Sequence, residues 1–444
     1  MKESFQEYFR GLIGETEAEK FFEAVKVKET RRSIRVNSLK FSKQELREWL
    51  ESQGYQVSEN PFCGDGLDIL GRGEPLSLKL PYYSGLDYPQ DSSSMFGVEV
   101  LDPQPGETVL DLTAAPGGKT THIAAKMQNS GVLVANDMDS RRLRALHSNL
   151  ERLGIWNAVC FRAMPHKLVS FYPEAFDRIL LDPSCSGEGL MVTRGGKPDF
   201  WSLKALKRYR SEQYGLLKSA FRLLKVGGRL VYSTCTLNDI EDDSVVKSLL
   251  EDFPEASLDL VKIADAPEQI GSLLGYRFWP QKTRTKGFFC IAITKKSSMG
   301  LERTMDAEHS LRTVKDKKRY ENFLGEFGVS LPDVEMVERD EHVFLLSKEL
   351  ASFKLPPKYS LTFPLFKVDR EIRFTHAGAL WAGLRAKKQV LELTRKQVEA
   401  FFERQPIERG SEEVGTYLVR YEGFPLGSAK VTETKIEIGM PRQY

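Results

Sequence analysis

The chain predicts an α/β protein built on a doubly wound, largely parallel sheet, with a small α+β unit before it and a strand-rich unit after it. Two observations carry this. Between Thr108 and Lys296 short apolar runs alternate with amphipathic helical stretches, the pattern of repeated strand–helix–strand crossovers. Two of those runs also end in similar polar tails, Leu180-Leu181-Asp182-Pro183-Ser184-Cys185-Ser186-Gly187 and Val231-Tyr232-Ser233-Thr234-Cys235-Thr236. Parallel strands that lie side by side deliver such carboxyl-end residues to one crevice.

At 444 residues the chain has room for two or three domains. Its formal net charge is +2, so any affinity for nucleic acid must come from local patches. Its start holds no signal-peptide-like stretch, and no apolar run reaches the length of a membrane span. The five cysteines are odd in number, scattered and without a C-x-x-C pair. A reducing, cytoplasmic setting without a disulfide scaffold is therefore expected, as a monomer. The six histidines are dispersed and no metal is expected; the absence of G-x-S-x-G argues against a serine hydrolase.

Residues 1–88 read as the α+β unit. Phe5, Tyr8, Phe9 and Leu12, then Phe21, Phe22 and Val25, fall at helical spacing. A basic, strand-like piece runs from Arg31 to Lys40, and Ser42 with Glu45 forms a capping box before Leu46, Trp49 and Leu50. The Gly- and Pro-rich stretch from Pro61 to Pro89 reads as loops with short strands. Residues 89–298 read as the sheet domain, with strands expected at Val109–Leu112, Gly131–Asp137, Asn157–Phe161, Phe176–Asp182 and Gly228–Thr234. Between the last two a long helix carries Leu206, Tyr209, Leu216, Leu217, Phe221 and Leu224 to a stop at Gly227; Gly287–Ile293 closes the sheet. Residues 299–330 read as a charged linker containing a helix, and 331–444 as a strand-rich unit with one good helix, capped at Thr394 and Gln397.

The turn Thr113-Ala114-Ala115-Pro116-Gly117-Gly118-Lys119-Thr120 lets the backbone pass close to a ligand and opens a helix with free N–H groups. It has neither P-loop nor G-x-G-x-x-G spacing, and Asp137 stands where an acidic residue would receive a ribose. A nucleoside without a pyrophosphate fits both, with S-adenosyl-L-methionine the leading candidate. After Asp182-Pro183 a thiol, Cys185, replaces the aromatic residue usual in amine methylation. Carbon 5 of cytosine becomes nucleophilic only after a thiolate adds at carbon 6, and two thiols with a carboxylate would serve that chemistry. Cys63, Cys160 and Cys290 read as core residues. Arg194, Lys197, Lys207, Arg208 and Arg210, and later Arg284 among aromatics, suit contact with RNA; a solvated surface is the plainer reading of each.

These motifs closely resemble those of the Nop/Sun RNA cytosine-C5 methyltransferases. The Ala-Ala-Pro-Gly-Gly-Lys-Thr, Asp-x-x-Cys-Ser-Gly and Ser-Thr-Cys-Thr runs, with Gln90–Met95 and Gly287–Phe289, stand in the family's order over residues 31–296. The resemblance implies a Rossmann-like S-adenosylmethionine-dependent methyltransferase sheet. It implies that residues 113–119 wrap the cofactor, that Asp137 holds its ribose, and that Asp182 contacts the cytosine and assists at N3. It further implies Cys235 as the nucleophile and Cys185 as the residue that helps release product; the residues alone do not rank the two thiols. The layout is similar to the bacterial 16S rRNA branch, whose tail resembles a PUA-like RNA-binding domain. Three departures stand out: Asp182-Pro183-Ser184-Cys185 for Asp-Ala-Pro-Cys, Arg162-Ala163-Met164-Pro165 where an adenine-binding Asp is common, and Glu241-Asp242-Asp243 for Glu-Glu-Asn. A tRNA methyltransferase, a catalytically silent ribosome-assembly factor and an amino-group methyltransferase are the competing readings.

Overall fold

A computed structural model describes residues 2–27, 32–71, 73–195, 201–259, 261–263, 265–267, 270, 273–307, 311–408, 410 and 413–439. The chain opens with two helices, α1 (Glu3–Ile13) and α2 (Glu15–Lys26). A four-stranded antiparallel sheet follows: β1 (Arg32–Val36), β2 (Gln56–Glu59), β3 (Gly66–Leu70) and β4 (Asp87–Pro89), in the order β2-β3-β1-β4. It is interrupted by α3 (Lys43–Ser52), which carries the expected Ser42/Glu45 capping box, and by α4 (Leu76–Ser84). The Pro61–Pro89 stretch is therefore not only loops and strands. Pro81 inside α4 and the flanking glycines mask a helix that is held by packing: Leu80 and Tyr83 are buried against the C-terminal sheet.

Asp91 caps α5 (Ser92–Leu101) by accepting from the Ser93 N–H at 3.1 Å. The central sheet then alternates β5 (Thr108–Asp111), α6 (Gly118–Lys126), β6 (Val132–Asn136), α7 (Ser140–Leu153), β7 (Ala158–Phe161), α8 (Pro165–Phe171), β8 (Phe176–Leu181), α9 (Leu203–Leu223), β9 (Leu224–Thr234), α10 (Asp243–Asp252), β10 (Ala256–Asp259), β11 (Tyr276–Phe278), α11 (Pro280–Thr283) and β12 (Phe288–Lys295). Strands β9-β8-β5-β6-β7 are parallel, because each return passes through a helix; β12 adds antiparallel to β9. β5 pairs with β6 on one side and β8 on the other, so the winding reverses there and leaves a crevice at the carboxyl ends. The strand expected from Gly228 begins at Leu224 and runs through Gly227.

After α12 (Lys317–Glu326), the described residues from 331 to 439 form two sheets. The first holds β13 (Glu335–Arg339), β14 (His342–Leu346), β16 (Pro364–Val368) and β17 (Ile372–Phe374). Within that stretch lie α13 (Lys348–Ser352) and β15 (Ser360–Leu361), which leaves its own unit to pair with β7 of the central sheet. Then come α14 (His376–Gly383), β18 (Val390–Glu392), α15 (Arg395–Phe402), β19 (Ile407–Glu408), β20 (Gly415–Tyr421), β21 (Phe424–Val431) and β22 (Lys435–Ile438), the five strands forming the second sheet. The sequence offered one helix here, α15. It missed α14, whose residues Ala377–Gly383 are buried all round and so show no amphipathic period.

Candidate active site

A cavity of about 320 Å³ opens at the switch point between β5 and β8. Its wall includes Thr113, Ala114, Ala115, Pro116, Gly118 and Lys119 from the turn after β5, with Asp182 and Cys235 from the ends of β8 and β9. The turn is held from outside the cavity. The Ala114 N–H donates to Asn136 O at 2.8 Å, Asn149 Nδ2 donates to Pro116 O at 3.0 Å, and Arg35 Nη1 donates to Gly118 O at 3.1 Å. Gly117 has φ 109° and a Cβ there would stand 3.0 Å from Leu146, so glycine is required; it does not line the cavity.

Asp137 likewise does not line the cavity. Its Oδ2 accepts from the Ala115 N–H at 3.2 Å and its Oδ1 from the Asp139 N–H at 2.9 Å, with Arg142 at 3.6 Å. It braces the turn in this geometry. Gln90, by contrast, reaches the cavity wall with both polar atoms of its buried side-chain amide unpartnered, a donor and an acceptor available to a ligand.

Asp182 accepts from Lys119 Nζ at 2.6 Å and Ser233 Oγ at 3.0 Å, and its N–H donates to Thr113 Oγ1 at 3.0 Å. Burial disfavours the Lys119 charge, but Asp182 outweighs it and holds the ammonium above its ordinary pKa. Asp111, buried beneath the turn, accepts from Thr120 Oγ1 at 2.7 Å; burial pushes its carboxyl up to about 7.

The two predicted thiols meet. Cys185 Sγ and Cys235 Sγ lie 2.7 Å apart, and only Cys235 of the pair lines the cavity. The contact to Cys235, then burial, then the Cys235, Glu241 and Asp182 charges raise the Cys185 thiol well above its ordinary value. Either sulfur could donate to the other, and Cys235 is the one that faces the cavity. Position on the cavity wall thus distinguishes two sulfurs that the sequence leaves equivalent.

Behind the thiols two buried carboxylates tie their loops together. Glu241 accepts from the Ser186 N–H at 3.1 Å, from Gln213 Nε2 at 2.8 Å and from Asn238 Nδ2 at 2.9 Å. Glu188 accepts from Ser186 Oγ at 2.9 Å, Asn238 Nδ2 at 2.9 Å and Trp201 Nε1 at 3.0 Å. Burial, then the Glu241 charge, pushes Glu188 up to about 7. Sequence reading missed Glu188, Gln213 and Asn238. Glu188 directly follows the Ser-Gly of the β8 motif, a usable signal; nothing marks Gln213 within a basic helix.

The predicted RNA contacts are dispersed. Lys207 and Arg208 are exposed on α9 and line neither this cavity nor a larger neighbouring one, and Arg208 pairs with Glu212 at 3.8 Å. Arg210 Nη2 donates to Ser248 Oγ at 2.8 Å, joining α9 to α10. Arg284 is exposed on the larger cavity of about 800 Å³, while Lys286 lines the active-site cavity itself. Lys197 and the side chain of Arg194 lie outside the described residues. Away from the crevice the fold gathers Cys63, Glu99 and His122, which no spacing foretold. Cys63 Sγ donates to Glu99 Oε1 at 3.3 Å, His122 Nε2 lies 3.2 Å from the same oxygen, and Lys126 Nζ takes the other at 2.6 Å.

Known proteins resemble this chain along most of its length. A family described as 16S rRNA methyltransferase RsmB/F matches residues 98–294, the N-terminal domain of 16S rRNA methyltransferase RsmF matches 1–92, and the RsmF PUA domain matches 388–442. Ribosomal RNA small subunit methyltransferase F of Aeromonas salmonicida is 35% identical over 93% of this chain and 90% of its own length. Its namesake from Psychromonas ingrahamii is 31% identical over 95% of this chain and 92% of its own. Among solved structures, a methyltransferase homologue from Pyrococcus horikoshii is 34% identical with TM-score 0.59, covering 66% of this chain and 95% of that one. NSun6 from the same organism, solved with SFG, is 25% identical with TM-score 0.61 over 67% of this chain and 99% of its own. The chain therefore belongs to the RsmF family of S-adenosylmethionine-dependent 16S rRNA methyltransferases.

Proposed function

We propose that the protein methylates carbon 5 of a cytosine in 16S rRNA through a covalent bond between Cys235 and carbon 6. The observation that carries this reading is the Cys185–Cys235 pair at 2.7 Å, with Cys235 on the cavity wall beside Asp182. Residues 113–119 and Gln90 would hold the cofactor, which supplies an electrophilic methyl group when bound; Asp137 fixes that turn and would receive the ribose. The Cys235 thiolate adds to carbon 6, the ring electron pair shifts toward carbon 5, and the Asp182–Lys119 pair supports proton delivery at N3. After methylation Cys185 promotes loss of the carbon 5 proton to solvent; its electron pair reforms the carbon 5–carbon 6 double bond, the carbon 6–sulfur bond breaks to release Cys235 as a thiolate, and the N3 proton returns to the Asp182–Lys119 pair.

We read the described basic residues, Lys207, Arg208, Arg210 and Arg284, as RNA contacts, with Arg284 the best supported because it stands on a cavity rim. The division into 1–88, 89–298, 299–330 and 331–444 serves this function by flanking the catalytic sheet with RNA-binding units, and we infer a cytoplasmic monomer. No described helix is long and apolar enough to cross a membrane. Bisulfite sequencing of 16S rRNA and tRNA from cells with and without the gene tests the reading. Loss of one 16S rRNA 5-methylcytosine is expected; loss confined to tRNA, or no loss, would overturn it.

A further inference from the structure

Strand β4 separates two cavities. Tyr88 and Pro89 line the active-site cavity, while Asp87 and again Pro89 line a second one of about 530 Å³, whose rim carries Arg32, Lys79 and Tyr82. Asp87 is 2% exposed, and its Oδ1 is buried without a hydrogen-bond partner. A carboxylate oxygen left so is costly unless a ligand completes it. Tyr82 is 37% exposed, and the Arg152 guanidinium lies 3.9 Å from its ring centroid. That cation stands over the ring, and the residue is partly exposed on the cavity rim.

We propose that this second cavity receives an unpaired guanine nucleotide that neighbours the target cytidine in the RNA, with its base on Tyr82 and its Watson–Crick edge on Asp87. This rests on the RNA-methylating reading above and adds a specificity site to it. The chemistry selects guanine. Its N1–H and exocyclic 2-amine are adjacent donors that one carboxylate accepts side by side. Adenine and cytosine each set a ring acceptor beside their single amine, and uracil sets carbonyls on both sides of its one donor. Arg32 and Lys79, both exposed at the rim, suit the flanking phosphates. Pro89, common to both cavities, makes the two sites neighbours, as adjacent nucleotides of one strand require. Burial pushes the Asp87 carboxyl up to about 7 against the pull of Arg152, Arg32 and Arg35, so a bound pair of donors would stabilise its charged form.

The test uses the full-length protein and 16S rRNA transcripts, free or assembled into subunits, in which each guanine within three nucleotides of the mapped cytidine is changed to adenine. For the wild-type enzyme one such change is expected to lower kcat/KM about 10-fold to 100-fold, mainly through KM. In Asp87→Asn the guanine RNA falls to the level of the adenine RNA, while melting temperature and cofactor binding stay near wild type. Should Asp87→Asn fail to fold, Tyr82→Leu on the exposed ring serves instead and is expected to raise KM for the guanine RNA selectively. Equal base dependence in wild type and variant, or no guanine within that window, overturns the inference. A wild-type enzyme that methylates none of the RNAs overturns the methyltransferase reading itself, and this site with it.

Discussion

Glu188 and Glu241 are the residues on which the relative position of the two thiols depends, since both accept from Ser186 next to Cys185 and from Asn238 beyond Cys235. Glu188 titrates near 7 in the folded chain, because of burial and then Glu241, against about 4.3 when unfolded. Between those values the folded protein binds the extra proton. The stability from this group is full at acid pH and lost as pH rises through 7. Buried neutral His122 and His376, held down to about 4 by burial, act in the opposite direction below about pH 6.5, so a difference measurement is needed. The melting temperature of Glu188→Gln minus that of wild type should increase from pH 5 to pH 8; a flat difference would contradict the assignment. The motif cysteines, Asp182 and the 113–119 turn were legible in the sequence because their chemistry is local. Glu188, Gln213 and Asp111 were not, because their roles come from partners that only the fold brings near.

The elements of the central sheet were legible for a physical reason: parallel strands covered on both faces become continuous apolar runs, as in Leu133–Ala135 and Ile179–Leu181. Helices α4 and α14 broke the rule, one through its internal proline and one through burial on every side. The loop carrying Cys185 depends on a backbone-to-backbone approach. The Gly189 N–H donates to Cys235 O at 3.0 Å, and the Gly287 N–H donates to Gly189 O at 3.1 Å. A Cβ on Gly189 would stand 2.0 Å from Gly287 O, so backbone must move. Gly189→Ala is expected to lower kcat about 100-fold, the cost of displacing reacting groups by about 1 Å, with cofactor affinity less affected. Steady-state kinetics beside cofactor titration checks this; unchanged kcat would count against the contact.

At the scale of the molecule the flanking units are fastened to the catalytic sheet rather than strung beside it. Phe5, Phe9, Phe21 and Phe22 of α1 and α2 share a core with Trp201, Leu206, Leu237 and Trp279. Phe5 meets Trp201 edge-on at 5.3 Å, and Trp201 holds Glu188, so the N-terminal helices reach the thiol network through one side chain. Phe5→Ala should cost about 3–5 kcal/mol and also lower kcat; denaturant unfolding with parallel assays checks both. At the other end β15 extends the central sheet, Thr362 Oγ1 donates to Ala158 O at 3.0 Å, and Trp49 packs on Phe424 with ring centroids 4.5 Å apart. None of this was legible. A two-residue strand such as Ser360–Leu361 has no period to detect, and docking partners lie far apart in the chain.

The covalent division of labour between the thiols is the central claim, and a denaturing gel of Cys185→Ala incubated with 16S rRNA and S-adenosylmethionine tests it most directly. A protein–RNA band that survives denaturation is expected, absent from wild type and from the Cys185→Ala/Cys235→Ala double variant, with methyl transfer abolished in Cys235→Ala alone. No trapped band in Cys185→Ala, or a band that persists without Cys235, would contradict it.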